Sequence, residues 1–311
     1  MFRPEALKFG DTIGIVAPSS PTSEENVKKS EKKLKELGFK VKMGESVSKT
    51  YGYLAGSDED RARDLNHMFL DDEVKGIICI RGGYGTPRIL ELLDYEAIKN
   101  NPKIFIGYSD ITALHIAMNQ ICSLITFHGP MVASNMIDGF DDFSKESLFR
   151  NIFNNEPIGL VENPEGEEIE TISGGIGEGE IVGGNLSLVV DTLGTPYEID
   201  TKGKLLLLEE VGEEPYNIDR MLTQLRLSGK LEEANGIILG DWNGCEAKSD
   251  EYNESLTLIE VFEDIIKPLN IPTIYNLKSG HCKPMITLPL GAKARLDADN
   301  KKLYVLESGV K

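Results

Sequence analysis

Tryptophan, histidine and cysteine are scarce in this chain of 311 residues, which holds one, four and four of them. The cysteines (Cys79, Cys122, Cys245, Cys282) are scattered without C-x-x-C spacing, so neither a disulfide framework nor a thiolate metal site is expected, and they read as reduced and mostly structural. The four histidines form no H-E-x-x-H or Cys/His cluster, so we expect no metal and metal-free chemistry. Positive charge is also short: 33 Lys and Arg stand against 51 Asp and Glu, a net charge of -18. That balance argues against nucleic acid or an anionic membrane as the main partner and favours a small or cationic ligand. No stretch approaches the ~20 apolar residues of a membrane span. The start, Met1-Phe2-Arg3-Pro4-Glu5, lacks the basic-then-apolar run of a signal peptide, which leads us to expect a cytoplasmic protein.

What is present is a soluble, two-domain composition, 40% hydrophobic and 27% charged. Short apolar runs at 12–17, 40–43, 76–80, 104–106 and 124–127 alternate with amphipathic segments at 23–37, 58–70, 86–92 and 110–120. Such alternation predicts an α/β fold with a parallel sheet covered by helices in an N-terminal domain, residues 1–150. The texture then turns to Pro, Gly and Glu, which we read as a linker over 151–170 followed by Gly-rich turns. Strand-like runs at 204–209, 236–239, 285–288, 292–296 and 303–306, with helices near 216–227 and 256–266, predict a β-rich α+β domain over 171–311.

Ser109 lies where the run Lys103-Ile104-Phe105-Ile106 passes through Gly107-Tyr108-Ser109-Asp110 into Ile111-Thr112-Ala113-Leu114. A sharp strand-to-helix turn lifts a side chain off the sheet and aims backbone N–H groups at what it attacks, although the match to G-x-S-x-G is incomplete and Ser109 or Asp110 would serve equally as a helix cap. A serine nucleophile needs a base and a group to orient that base. His67 sits on a polar helix and His115 on the helix after Ser109, facing away from the turn; His128 ends an apolar run, and His281 lies in the loop Lys278-Ser279-Gly280-His281-Cys282. The last two are candidates for the base. Leu205-Leu206-Leu207-Leu208 ends in Glu209-Glu210, where a rigid strand-end carboxylate suits the orienting role; Glu209 is the better placed, and Glu210 reads as a surface or supporting group. Arg81-Gly82-Gly83-Tyr84-Gly85 follows a strand and can bring backbone N–H groups against a ligand, as a phosphate cradle or an oxyanion hole. It is neither a dinucleotide fingerprint nor a P-loop, and no cofactor is expected.

These hints fall into order with five segments: Tyr53-Leu54-Ala55-Gly56-Ser57-Asp58-Glu59, Arg81 to Gly85, Lys103 to Leu114, Gly183-Gly184-Asn185-Leu186, and Gly280-His281 with Pro289-Leu290-Gly291. Together they resemble the serine LD-carboxypeptidases from the first strand to the C-terminus. The resemblance implies a Ser-His-Glu triad of Ser109, His281 and Glu209 drawn from both domains. Its oxyanion donors map to the backbone N–H of Asp110 and of one glycine of the Gly82-Gly83 pair, with Gly83 first, and Arg81 and Tyr84 become candidates for substrate contact. It further implies removal of the terminal D-alanine from muropeptide tetrapeptides during cytoplasmic cell-wall recycling, a small peptide or muropeptide as partner, and a homodimer. Two rival readings stand beside it: the immunity type that cleaves a peptidyl-nucleotide antibiotic, and a non-catalytic small-ligand module. The immunity type carries an aromatic-bearing insertion before Gly-Gly-Asn-Leu, whereas this chain has no aromatic residue from Glu162 to Gly184, and its only tryptophan is Trp242.

Overall fold

Runs such as Ile13-Gly14-Ile15-Val16 and Gly76-Ile77-Ile78-Cys79 are apolar at every position, the pattern of strands covered on both faces. In the structure of the protein, a computed structural model that describes residues 1–247 and 255–311, they form the heart of a first compact unit. That unit comprises Met1–Glu156, Ile286–Gly291 and Ser308–Lys311. Strands β1 (Thr12–Val16), β2 (Lys40–Met43), β3 (Val74–Cys79), β4 (Ile104–Gly107) and β5 (Thr126–His128) lie parallel, in the order β5-β4-β3-β1-β2. Leu288–Leu290 adds an antiparallel edge against β5. Ile13, Ile15, Ile77, Phe105, Ile106 and Phe127 are at most 3% exposed. Helices α1 (Glu24–Glu36), α2 (Asp58–Leu70), α3 (Tyr95–Asn100), α4 (Thr112–Cys122) and α5 (Asp142–Phe153) complete it, while the helix expected at 86–92 is a tight 3-10 turn, Thr86–Leu92.

Strand order reverses between β1 and β3, and in open α/β sheets ligands bind beyond the carboxyl ends of strands at such a switch point. Beyond β1, β3 and β4 stand Pro18-Ser19-Ser20, Arg81-Gly82-Gly83 and Tyr108-Ser109. The topology of this sheet therefore gathers Ser109 and the Arg81-Gly82-Gly83 loop.

The second unit comprises Pro157–Met285 and Ala292–Glu307. It is a mixed sheet built from β6 (Gly159–Val161), β7 (Glu170–Ser173), β8 (Ile176–Asn185), β9 (Leu205–Val211), β10 (Gly236–Asn243), β11 (Thr273–Tyr275), β13 (Lys293–Asp297) and β14 (Lys302–Val305), β12 being the Leu288–Leu290 edge strand of the first sheet. Its central strands β8, β9, β10 and β11 are parallel; β13, β14, β6 and β7 flank them antiparallel. Helices α6 (Leu186–Asp191), α7 (Pro215–Leu227) and α8 (Leu258–Ile265) belong to this unit. Of the Gly-rich turns expected before Gly184, Gly174-Gly175 does connect β7 to β8, whereas the rest is the ten-residue strand β8. Its glycines answer to close backbone approach: a Cβ on Gly177 would stand 2.0 Å from the Asn235 carbonyl oxygen, and one on Gly183 2.2 Å from that of Leu207. Among the described residues no helix is long and apolar enough to cross a membrane.

Candidate active site

β4 ends at Gly107, and Ser109 opens a single tight turn, Ser109–Ile111, that runs into α4. Ser109 has φ +64°, the left-handed region that costs a non-glycine residue roughly 1–2 kcal/mol. Gly107 permits the bend, since a Cβ there would lie 2.9 Å from the Ile111 side chain. A strained serine between strand and helix is the geometry of a nucleophile elbow.

The Arg81–Gly85 loop reaches this serine. A Cβ on Gly82 would be 3.0 Å from Ser109 Oγ, so only glycine lets the loop backbone approach the hydroxyl so closely. Gly83 has φ +126°, and a Cβ on it would collide with Ser20 Oγ at 2.2 Å; the next N–H, of Tyr84, donates to that same hydroxyl at 3.2 Å. Arg81 braces the loop, its Nε donating to the Gly82 carbonyl at 3.2 Å and its Nη1 to that of Pro21 at 3.3 Å. Tyr84 is 45% exposed and its ring meets that of Tyr53 at 5.8 Å. The Asp110 carboxylate is buried and accepts from Ser19 Oγ at 2.6 Å and from the Thr86 N–H at 2.9 Å, while Thr86 Oγ1 donates to the Asp110 carbonyl. Burial raises its pKa above the ordinary carboxylate value, against the pull of these hydrogen bonds. Its backbone N–H belongs to the opening turn of a helix, where amides have no acceptor within the helix.

The histidines separate cleanly. His67 is exposed on α2. His115 is fully buried beneath the elbow, its Nδ1 paired with Thr126 Oγ1 at 2.8 Å and its Nε2 with the Gly107 carbonyl at 2.9 Å, and burial lowers its pKa to about 4. His128 is likewise fully buried, edge-on to Tyr108 at 5.9 Å.

In the second unit, His281 Nδ1 lies 2.7 Å from Glu209 Oε2. Gly280 makes this contact possible: it has φ +125°, and a Cβ on it would stand 2.6 Å from that carboxylate oxygen. Asn243 Nδ2 donates to the His281 carbonyl at 2.9 Å and steadies the loop. Burial opposes charge on the imidazole, but the adjoining Glu209 carboxylate, with Glu210 and Asp241 behind it, outweighs burial and holds the His281 pKa above its usual value. Full burial raises the Glu209 pKa, against the attraction of His281. With Nδ1–H donating to Glu209, Nε2 is the nitrogen left to accept a proton.

Of the two readings of Glu210, surface or supporting group, the structure fits the second. It is 3% exposed, and its carboxylate accepts from Asn185 Nδ2 (2.9 Å), the Ser187 N–H (2.9 Å), Ser187 Oγ (2.7 Å) and its neighbour's N–H, Val211 (2.9 Å). It ties β9 to the start of α6.

Residues 13–129 match the family profile described as LD-carboxypeptidase N-terminal domain, and residues 178–296 that described as LD-carboxypeptidase C-terminal domain. A probable murein peptide carboxypeptidase of Bacillus subtilis (strain 168) is 45% identical over 311 residues, 99% of this chain and 95% of the relative. The chain belongs to the LD-carboxypeptidase family. Among solved structures, the muramoyltetrapeptide carboxypeptidase from Oxalobacter formigenes superposes on this chain with TM-score 0.82 and 29% identity, over 94% of this chain and 97% of the other. The microcin C7 self-immunity protein MccF, solved with aspartyl sulfamoyl adenosine, superposes with TM-score 0.91 and 26% identity over the full length of both chains. The sequence alone did not single out Ser19 and Ser20, buried Arg61, or the pairing of Asn185 with Glu210. Asn185 stood in the Gly-Gly-Asn-Leu segment, and the serines after β1 left a signal as polar residues following an apolar strand at the switch point.

Proposed function

We propose that the protein is a serine carboxypeptidase that releases the terminal D-alanine of muropeptide tetrapeptides, cutting the bond that joins the L-centre of a diamino acid to the D-residue. Ser109 Oγ attacks the scissile carbonyl, and His281 Nε2 takes its proton. Glu209 stabilises the imidazolium and fixes the tautomer. The N–H groups of Gly83 and Asp110 hold the tetrahedral oxyanion. His281 then gives the proton to the departing amine of D-alanine, and water, deprotonated by the same imidazole, hydrolyses the acyl-enzyme. Arg81 supplies positive charge for the substrate's terminal carboxylate, and the exposed ring of Tyr84 contacts the peptide. The observation that carries this reading is Ser109 at φ +64° with the Gly82 backbone against its hydroxyl. The names of the Bacillus subtilis relative and the Oxalobacter formigenes structure support the choice of substrate.

The likeness to MccF favours a second reading, hydrolysis of an aspartyl-nucleotide conjugate. Stacking a base on an aromatic ring is worth roughly 1–3 kcal/mol. The 162–184 segment offers no such ring, which favours the muropeptide. The deciding experiment compares kcat/KM for a D-alanine-terminated tetrapeptide, with Lys and with diaminopimelate, against an aspartyl-nucleotide conjugate. We expect the tetrapeptide to lead by tenfold or more, on the order of one stacking contact. Equal values would remove the substrate assignment and leave the serine mechanism.

A further inference from the structure

Arg61 is fully buried, yet nothing in the reaction above uses it. A buried guanidinium is costly to desolvate, and its five donors have a fixed fork geometry that suits several acceptors at once. A capping box sets its place: Ser57 Oγ accepts from the Asp60 N–H and the Asp60 carboxylate from the Ser57 N–H, which starts α2 and puts Arg61 in its first turns. From there Nη1 donates to the Gly85 carbonyl at 2.8 Å and to the Pro18 carbonyl, and Nη2 pairs with Asp58. Asp58 in turn takes Arg88 at 2.8 Å, so the fork is held from behind. Gly85 has φ +140°, and a Cβ on it would lie 2.6 Å from Arg61 Nη1.

The two carbonyls belong to the loops after β1 and β3. Asp110, from the loop after β4, closes the same circuit by accepting from Ser19 Oγ and the Thr86 N–H. One buried cation and one buried carboxylate thus tie together all three strand-end loops, and Gly83 sits inside the tie against Ser20. We propose that Arg61 is a positioning residue for the oxyanion site: with the Asp110 carboxylate it clasps the 18–20 and 82–86 loops to the elbow, so that the Gly83 N–H is aimed before substrate binds. Preset donors lower a barrier because they need no reorganisation when charge develops. This inference rests on the serine mechanism proposed above.

The test is Arg61→Lys, which keeps the charge but replaces the rigid fork, whose Nη1 serves both carbonyls while Nη2 holds Asp58, by a single ammonium on a shorter stem. Three quantities are measured: kcat and KM on the D-alanine-terminated tetrapeptide, the number of sites labelled by a fluorophosphonate, and the affinity of a peptide boronate carrying boron in place of the scissile carbonyl carbon. A misaimed donor should lower kcat about 10- to 100-fold, short of the 10²–10³ for outright loss of one donor. KM should move less than about threefold, and boronate affinity should fall by the same factor as kcat/KM. A loss confined to the number of labelled sites, with unchanged boronate affinity in those that remain, would overturn the proposal, as would wild-type kcat. Ser19→Ala removes one hydroxyl from the other side of the clasp and carries the test if Arg61→Lys does not fold; the same parallel fall is expected, and unchanged kcat with unchanged boronate affinity overturns the proposal. A wild-type protein that is neither labelled nor active on the tetrapeptide would instead overturn the serine mechanism, and this inference with it.

Discussion

Glu209→Gln keeps the shape of the side chain and removes its charge. In the native protein the fully buried carboxylate lies 2.7 Å from His281 Nδ1. In the proposed reaction His281 becomes an imidazolium during attack on the carbonyl, and two unit charges about 4 Å apart interact by roughly 4 kcal/mol at an effective dielectric near 20. At about 1.4 kcal/mol per decade that is close to 10³ in rate. The glutamine amide can also donate to Nδ1 and stabilise the wrong tautomer, an error that costs about 10⁴ in a related triad. We therefore expect kcat to fall about 10³- to 10⁴-fold, with KM little changed, since the substrate does not need this charge for ground-state binding. The assay is D-alanine release from the tetrapeptide, followed through a D-amino-acid oxidase across pH. Because the carboxylate holds the His281 pKa up, and the base must be neutral to act, the acid limb of the wild-type profile lies above that of a free imidazole and should move to lower pH in Glu209→Gln. Glu210→Gln should instead lose stability, because three of its four accepted hydrogen bonds tie β9 to the start of α6, and keep most of its turnover. A Glu209→Gln enzyme with more than a tenth of wild-type kcat, or equal mild losses in both variants, would refute the orienting role.

Ser109→Ala and His281→Ala should each cost roughly 10⁴–10⁶ in kcat with the fold intact by circular dichroism, and the double variant should be no worse than either single one, since triad members act as a unit. Gly82→Ala should lower kcat by on the order of 10² or more, because the new methyl would stand 2.9 Å from Ser109 Cβ and 3.0 Å from its Oγ beside the proposed oxyanion site; wild-type turnover in this variant would separate the loop from the chemistry. His115 resists protonation until about pH 4 when folded, whereas its unfolded counterpart takes a proton near 6.5. Its contribution to stability is thus complete above pH 6.5 and is lost as pH falls toward 4, by about 3 kcal/mol in all. Urea titrations of wild type and His115→Gln over that range should show the extra acid slope only in the wild type.

The strands of the first sheet were legible because both faces are covered and their apolar runs are unbroken, and the candidate site residues at their ends followed from that. The proposed base was less legible. His128 ended an apolar run and His281 stood in a loop, and what separates them is burial: His128 is sealed against Tyr108, whereas His281 is raised on Gly280 above a carboxylate. Alternation could not tell Glu209 from Glu210, because Leu205 to Leu208 are all fully buried and mark no outer face. Strand β8 was missed because glycine reads as a turn, when here it answers to backbone packing that only distant residues impose. Arg61 was missed for the opposite reason. An arginine among Asp58, Glu59, Asp60 and Arg63 reads as a solvated helix face, and only the fold turns it inward onto Pro18 and Gly85.

The central claim is that Ser109 forms the covalent bond. Incubating the protein with a phosphonate analogue of the D-alanine-terminated tetrapeptide, followed by peptide mapping in a mass spectrometer, reads this directly. The account predicts one stoichiometric adduct on Ser109, blocked by the tetrapeptide and absent in Ser109→Ala and His281→Ala. An adduct on another residue, or turnover of the tetrapeptide with no adduct at Ser109, would contradict it.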